Sequence, residues 1–298
     1  MKNIRSKGAK ISKLQLYHKR VANFWRIYSR NKMGMIGLII VTFFAAIAIL
    51  APYISPYGEW EYLTGPPFSP PSKEHLLGTD ELGRDIFSLV IYGTRISLLV
   101  GVTAALFSTV IGTVIGLISG YYGGPVDHIL MRITDAFLIL PSLVLMIILA
   151  ALLGPGMGNI ILVISITTWP TTARIIRSQV LSLKERAFVE SSRAIGSGDI
   201  YILFHHILPN VVPLMFANMV LMVSAAIISE AGLSFLGLGD PHHTSWGMIL
   251  HYASEHGAIA GGMWWYIIPP GICLLLLVVG FVFIGHSMDE ILNPRLRR

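Results

Sequence analysis

Two groups of side chains have the types and spacing to do chemistry. Asp240, His242, His243, His251 and His256 crowd one stretch, and imidazole with carboxylate suits nickel or zinc. Adjacent histidines at 242 and 243 rarely point at one ion, so these read as solvated loop side chains, with no metal site expected. Asp80, Glu81, Arg84 and Asp85 form the second group, either a charge network bracing its own loop or a contact for a partner protein. Catalytic patterns are absent: there is no G-x-x-x-x-G-K-S/T phosphate loop, no H-E-x-x-H and no G-x-S-x-G. The lone cysteine, Cys273, lies in an apolar run, so no disulfide or multi-cysteine metal site forms within the chain, and it reads as an inert thiol. No catalytic residue and no cofactor on this chain are expected.

The elements that would carry these residues are written in the hydropathy. Of 298 residues 54% are hydrophobic and 13% charged, where a soluble domain carries about 25% charged, and mean hydropathy is +0.67. Lipid is the solvent that such a surface fits. Backbone groups find no partners there, so long apolar runs must be helices of about 20 residues. Six are read: 34–54, 96–119, 136–153, 160–180, 211–233 and 263–284. The fourth is short, with Pro170 expected to kink it. Parity supports it. With six spans and both ends inside, the inner segments hold 19 of the 22 Lys and Arg, leaving Lys73, Arg84 and Arg95 outside, as the positive-inside bias requires. That placement explains the net charge of +6 as topology and excludes nucleic-acid binding. The basic leader is too long for a signal peptide, so the first apolar run reads as a permanent span. Ahead of it, Leu14, Tyr17, Val21, Phe24, Trp25 and Tyr28 recur at helical spacing among basic residues, fitting either an amphipathic helix on the inner leaflet or a disordered basic tail. The polar segments 55–95 and 237–262 lie outside.

Between the fourth and fifth spans, Lys184 to Asn210 is polar enough to leave the membrane yet keeps an apolar stripe at Phe188, Ser191, Ser192 and Ile195. Gly196 and Gly198 should stop that helix, Asp199 can cap the next, and Pro209 should break the chain before span five. Two short helices on a glycine hinge result. Ser191 and Ser192 would allow close approach of another protein, and Glu190 offers a carboxylate. Elsewhere, Glu230 is a carboxylate near the outer end of span five, either a hydrogen-bonded structural residue or a gate or subunit contact. Thr103, Ser108 and Thr109, with Thr167, Thr168, Thr171 and Thr172, could line a path or pack between helices, and Gly101, Gly112, Gly116 and Gly120 read as close helix packing.

Glu190-Ser191-Ser192, then Gly196, then Leu208-Pro209 resembles the EAA loop of ATP-binding-cassette importer permeases, with serines for both alanines and His206 in a slot usually given to isoleucine. Further runs are similar to the C-type permeases of dipeptide, oligopeptide and nickel importers: Arg30-Asn31-Lys32, His75 to Asp85, Glu230 to Gly239, and Ser245-Trp246-Gly247. The resemblance covers about residues 25–290. It implies an all-α, type I importer permease fold with six transmembrane helices and no catalytic role of its own. It also implies a heterodimer with a homologous B-type permease, two cytoplasmic ATPase subunits that carry ATP and Mg, and an extracytoplasmic solute-binding protein. On it, Lys184, Phe188, Glu190, Ser191, Ser192, Ile195, Gly196 and Asp199 would couple to an ATPase, and Asp80, Glu81, Arg84 and Asp85 could meet the binding protein.

The expected organisation is a basic cytoplasmic segment (1–33), a first span (34–54), an external loop (55–95), a five-helix core (96–286) that includes the coupling loop (181–210), and a basic cytoplasmic tail (287–298). The expected activity is alternating access for di- or oligopeptides in the plasma membrane, with nickel or oligosaccharides as the narrower options. An ion-coupled secondary transporter would need paired charges at mid-membrane, and none is well centred. An intramembrane enzyme lacks a catalytic constellation.

Overall fold

Helices are the only open-ended elements that satisfy their own backbone in lipid, and helices make this architecture. The computed structural model describes residue 22 and residues 25–292. Leu14, Tyr17, Val21 and Phe24 of the expected interfacial helix lie outside the described residues, as does the tail from 293 onward. Trp25 and Tyr28 are described, and their rings stack with centroids 6.1 Å apart.

In chain order the helices are α1 (Lys32–Ile54), α2 (Ile86–Tyr122), α3 (Gly124–Ile139), α4 (Ser142–Leu153), α5 (Met157–Lys184), α6 (Ala187–Ala194), α7 (Asp199–Ile202), α8 (Leu208–Leu233), α9 (Trp246–Glu255) and α10 (Trp264–Leu292). Widened π turns, Leu203–Ile207 and Ser234–Leu238, follow α7 and α8. Five stretches are long and apolar enough to cross a membrane, and six if α3 and α4 together count as one span.

That pair corrects the third expected span. The run 136–153 is not one helix: α3 and α4 meet at 90°. Leu140, the residue before Pro141, is extended (φ −77°, ψ 136°), because the proline ring excludes the helical region for its predecessor. Pro170, by contrast, sits inside α5 without dividing it. The polar segments 55–95 and 237–262 contain helix of their own. Asp85 caps α2 ten residues ahead of the apolar run, accepting from the Ser88 amide, and α9 occupies the middle of the second external segment.

The core forms around α2, which packs along α5 and against α8, while α10 lies against α1 and α8. Gly112 and Gly116 set the α2–α5 spacing. A Cβ at either would stand 2.6 Å from a backbone oxygen, of Trp169 and Ala173 respectively. Most of the small polar residues on these helices pack rather than line a path. Thr168 donates to Ser108 (2.9 Å) and Asn218 donates to Thr172 (2.8 Å), tying α5 to α2 and to α8.

Candidate functional site

One end of the molecule carries α6, and the local sequence explains its shape. Glu190 stands in its first turn, where a carboxylate complements the exposed amides. Its C-terminus is a Schellman turn: Ser197 N–H bonds the Ser192 carbonyl (3.1 Å), Gly196 N–H bonds that of Arg193 (3.0 Å), and Gly196 takes φ +86°. Val189 and Ser192 turn inward. Val189 joins Tyr121, Val180, Leu183, Ile202 and Ile207 in a small core at this end.

Most of the stripe read from the sequence lies on the open face. Of Phe188, Ser191, Ser192 and Ile195 only Ser192 is buried. Ser191 and Phe188 face out, and Ile195 is 84% exposed. Ile200, Tyr201 and Phe204 extend this bare apolar surface onto α7 and the π turn. Soluble surfaces seldom expose so much contiguous apolar area unless something docks there.

Asp199 is also placed differently. Gly198 occupies the capping position of α7 and makes no side-chain cap; the Asp199 carboxylate instead accepts from Tyr121 O–H (2.7 Å). Lys184 donates to the Tyr121 carbonyl (3.4 Å). The end of α2 is thus held from both α5 and α7. Pro209 breaks nothing. Leu208 N–H reaches back five residues to the Leu203 carbonyl, and this wide turn accommodates a proline that lacks an N–H and crowds the preceding turn. Ile207 is buried, while His206 lies near Phe188 with centroids 6.1 Å apart.

Three residues here were not singled out from sequence: Tyr121, Asp127 and Arg177. Arg177 Nε meets Asp127 Oδ1 at 2.6 Å, its Nη2 takes the second oxygen, and Ser119 O–H donates to the same carboxylate. This fork joins α2, α3 and α5. Charges on apolar helices are costly unless paired, and that cost was the signal available.

The other end is a second polar assembly. Asp80, Glu81, Arg84 and Asp85 are corrected as a contact surface, because their side chains turn inward. Arg84 Nε bonds Asp80 Oδ2 (2.6 Å) and Nη2 lies 3.5 Å from Glu81. Asp85 meets His75 at 3.0 Å, and Glu81 accepts from Tyr266 O–H. Burial pushes the Asp80 carboxyl up, even opposite Arg84. They brace the loop. The bare residues on it are Trp60, Tyr62, Leu63, Leu76 and Leu82.

Glu230 is buried within the subunit rather than at a surface. Ser234 donates to it at 2.8 Å and Ser97 lies at 3.5 Å. Trp246 seals the position, its N–H bonding Ser97 Oγ (3.3 Å) and its indole the Val90 carbonyl (2.9 Å). The histidines disperse. His243 pairs with Asp240 (3.0 Å), His251 bonds the Phe235 carbonyl and His256 that of Tyr252. Among the described residues no three His, Cys, Asp or Glu side chains gather as a metal set.

Comparison with known proteins agrees with this geometry. The family described as binding-protein-dependent transport system inner membrane component matches residues 112–298. The N-terminal TM domain of oligopeptide transport permease C matches residues 20–71. The dipeptide transport system permease protein DppC of Bacillus subtilis is 40% identical, over 92% of this chain and 85% of its own length. The oligopeptide permease OppC of the same organism is 41% identical, over 91% and 88%. The glutathione permease GsiD of Pectobacterium atrosepticum is 38% identical, over 92% and 91%. A solved inward-facing structure of the MetNI methionine ABC transporter superposes with a TM-score of 0.55 at 18% identity, covering 72% of this chain and 98% of that one, which is a likeness of fold. With a family match over more than half its length and relatives near 40% identity along nine-tenths of it, the chain belongs to the inner membrane components of binding-protein-dependent ABC importers.

Proposed function

We propose that this chain is one permease half of an ATP-driven importer of di- or oligopeptides. A homologous permease completes the membrane pathway, two cytoplasmic ATPases bind and hydrolyse Mg-ATP, and an extracytoplasmic binding protein delivers cargo. Both termini lie in the cytoplasm. The observation that carries this reading is α6: a short, glycine-terminated helix seated by Val189 on its own subunit while Phe188, Glu190, Ser191 and Ile195 face outward. Nucleotide-driven closure cannot push on lipid-buried helices directly, so a docked rigid element must pass it on. α6 is fixed to α7, and through Asp199 and Tyr121 to α2. Displacing it moves the inner ends of the spans. The peptide assignment follows the substrates named for the dipeptide and oligopeptide relatives.

Co-purification with the ATPases and cargo-stimulated ATP hydrolysis test the reading. Glu190→Lys and Gly196→Pro should leave the chain in the membrane and abolish both. The proline can neither adopt φ +86° nor donate to Arg193. Normal stimulated hydrolysis in either variant would overturn the assignment of α6.

A further inference from the structure

Arg95 has no task in the mechanism above. It sits on α2 one residue before the apolar run begins, its side chain is exposed, and among the described residues it makes no ion pair or hydrogen bond. Leu99 and Val102 follow at helical spacing on the same exposed face, so the guanidinium heads an apolar stripe. Ile49 of α1 supplies the opposite wall of a cleft of about 780 Å³, and Tyr92, Glu59 and His243, the last already paired with Asp240, share its polar lining with Arg95. Glu59 is held in place by the Thr244 amide on Oε1 (3.0 Å), which leaves Oε2 free.

The geometry points to a binding site for an outer-leaflet phospholipid with an ethanolamine headgroup. The planar guanidinium suits phosphate oxygens, Tyr92 O–H lies one turn away as a second donor, and the Glu59 carboxylate matches an ammonium. Below them the Leu99–Val102 stripe and Ile49 receive an acyl chain. Opposite charges on one rim over an apolar floor fit a zwitterionic lipid; a free anion would leave the floor bare, and an acidic lipid would leave Glu59 unmatched. The inference rests on the membrane-embedded permease reading.

The test is native mass spectrometry of the assembled transporter in mild detergent, supplied with phosphatidylethanolamine or phosphatidylglycerol. Wild type should retain the ethanolamine lipid in preference. Arg95→Gln should lower its occupancy about fivefold, the loss expected on removing one interfacial cation. Glu59→Gln should equalise the two lipids. Leu99→Trp, which fills the floor and leaves both charges, should also expel the lipid. Equal retention by wild type and Arg95→Gln, no preference in wild type, or an unaffected Leu99→Trp would each overturn the site. Loss of peptide uptake in Arg95→Gln with lipid retention unchanged would overturn it too, giving the cation to cargo. Failure of the ATPases to co-elute would sink the importer reading separately, since lipid bound to this chain is weighed either way.

Discussion

Asp240 does at residue scale what its acid–histidine neighbourhood disguises in the sequence. Its carboxylate caps α5 by accepting the Met157 amide (3.0 Å), and it also takes the His242 amide (2.8 Å) and the His243 ring (3.0 Å). Burial pushes this carboxyl up, but those hydrogen bonds outweigh burial and hold it below the ordinary carboxylate range. A group so depressed contributes stability above its unfolded pKa, near about 4, and loses it as pH falls through the lower folded value. The start of α5 should therefore stay protected from neutral pH down to about 4 and open only in stronger acid. Amide exchange at Met157 reads this directly. Asp240→Asn should speed exchange already at neutral pH, and an unchanged rate in that variant would show that the carboxylate does not hold the helix start.

At the scale of elements, the α2–α5 contact decides how closely these two core helices lie. The atom facing Gly116 is the Ala173 carbonyl oxygen, 2.6 Å from where a Cβ would stand. Backbone cannot rotate away as a side-chain tip can. Gly116→Ala should cost about 1–3 kcal/mol, or about 2–4 °C of melting temperature per kcal/mol in a chain of this size. Gly158, on the same α5 with nothing within 4 Å of its Cβ position, is the control. Gly158→Ala should be neutral or slightly stabilising, since alanine favours helix by up to about 1 kcal/mol. Thermal melting in detergent compares them, and equal melting would show the interface to be loose. The glycine spacing makes this contact legible from residue order alone, as hydropathy does the spans. Other elements are less so. The 90° turn at Leu140 hides inside an unbroken apolar run, where only Pro141 marks it. Asp80, Glu81, Arg84 and Asp85 read in sequence as either a loop brace or a contact, because nothing local reveals that Tyr266, 185 residues on, closes over Glu81. For α6, periodicity marks the helix, its glycine stop and the apolar Phe188 and Ile195, but not the burial of Val189, which depends on Tyr121 and Val180 from other helices.

For the whole molecule, the proposed topology puts α6 and the braced loop on opposite sides of the membrane. In a Cys273→Ala background, Leu63→Cys should react with a membrane-impermeant maleimide in intact cells, and Ile195→Cys only once the membrane is opened. Both native side chains are more than three-quarters exposed, so access rather than burial decides the result. The reverse pattern would invert the topology. From Asp199 the chain runs as helix, the π turns included, until Gly237 turns left-handed at φ +81°, a run of about 57 Å at 1.5 Å per residue. Its lower end is lashed to α2 by Tyr121, and near its upper end Glu230 sits among serines of α2 and of the segment that starts α9. On the proposed topology, a tilt imposed at the cytoplasmic foot arrives at the outer mouth in the same stroke, as with a mast stepped through two decks. The two doors of the pathway share one shaft, and opening one while the other stays wide would require that shaft to bend.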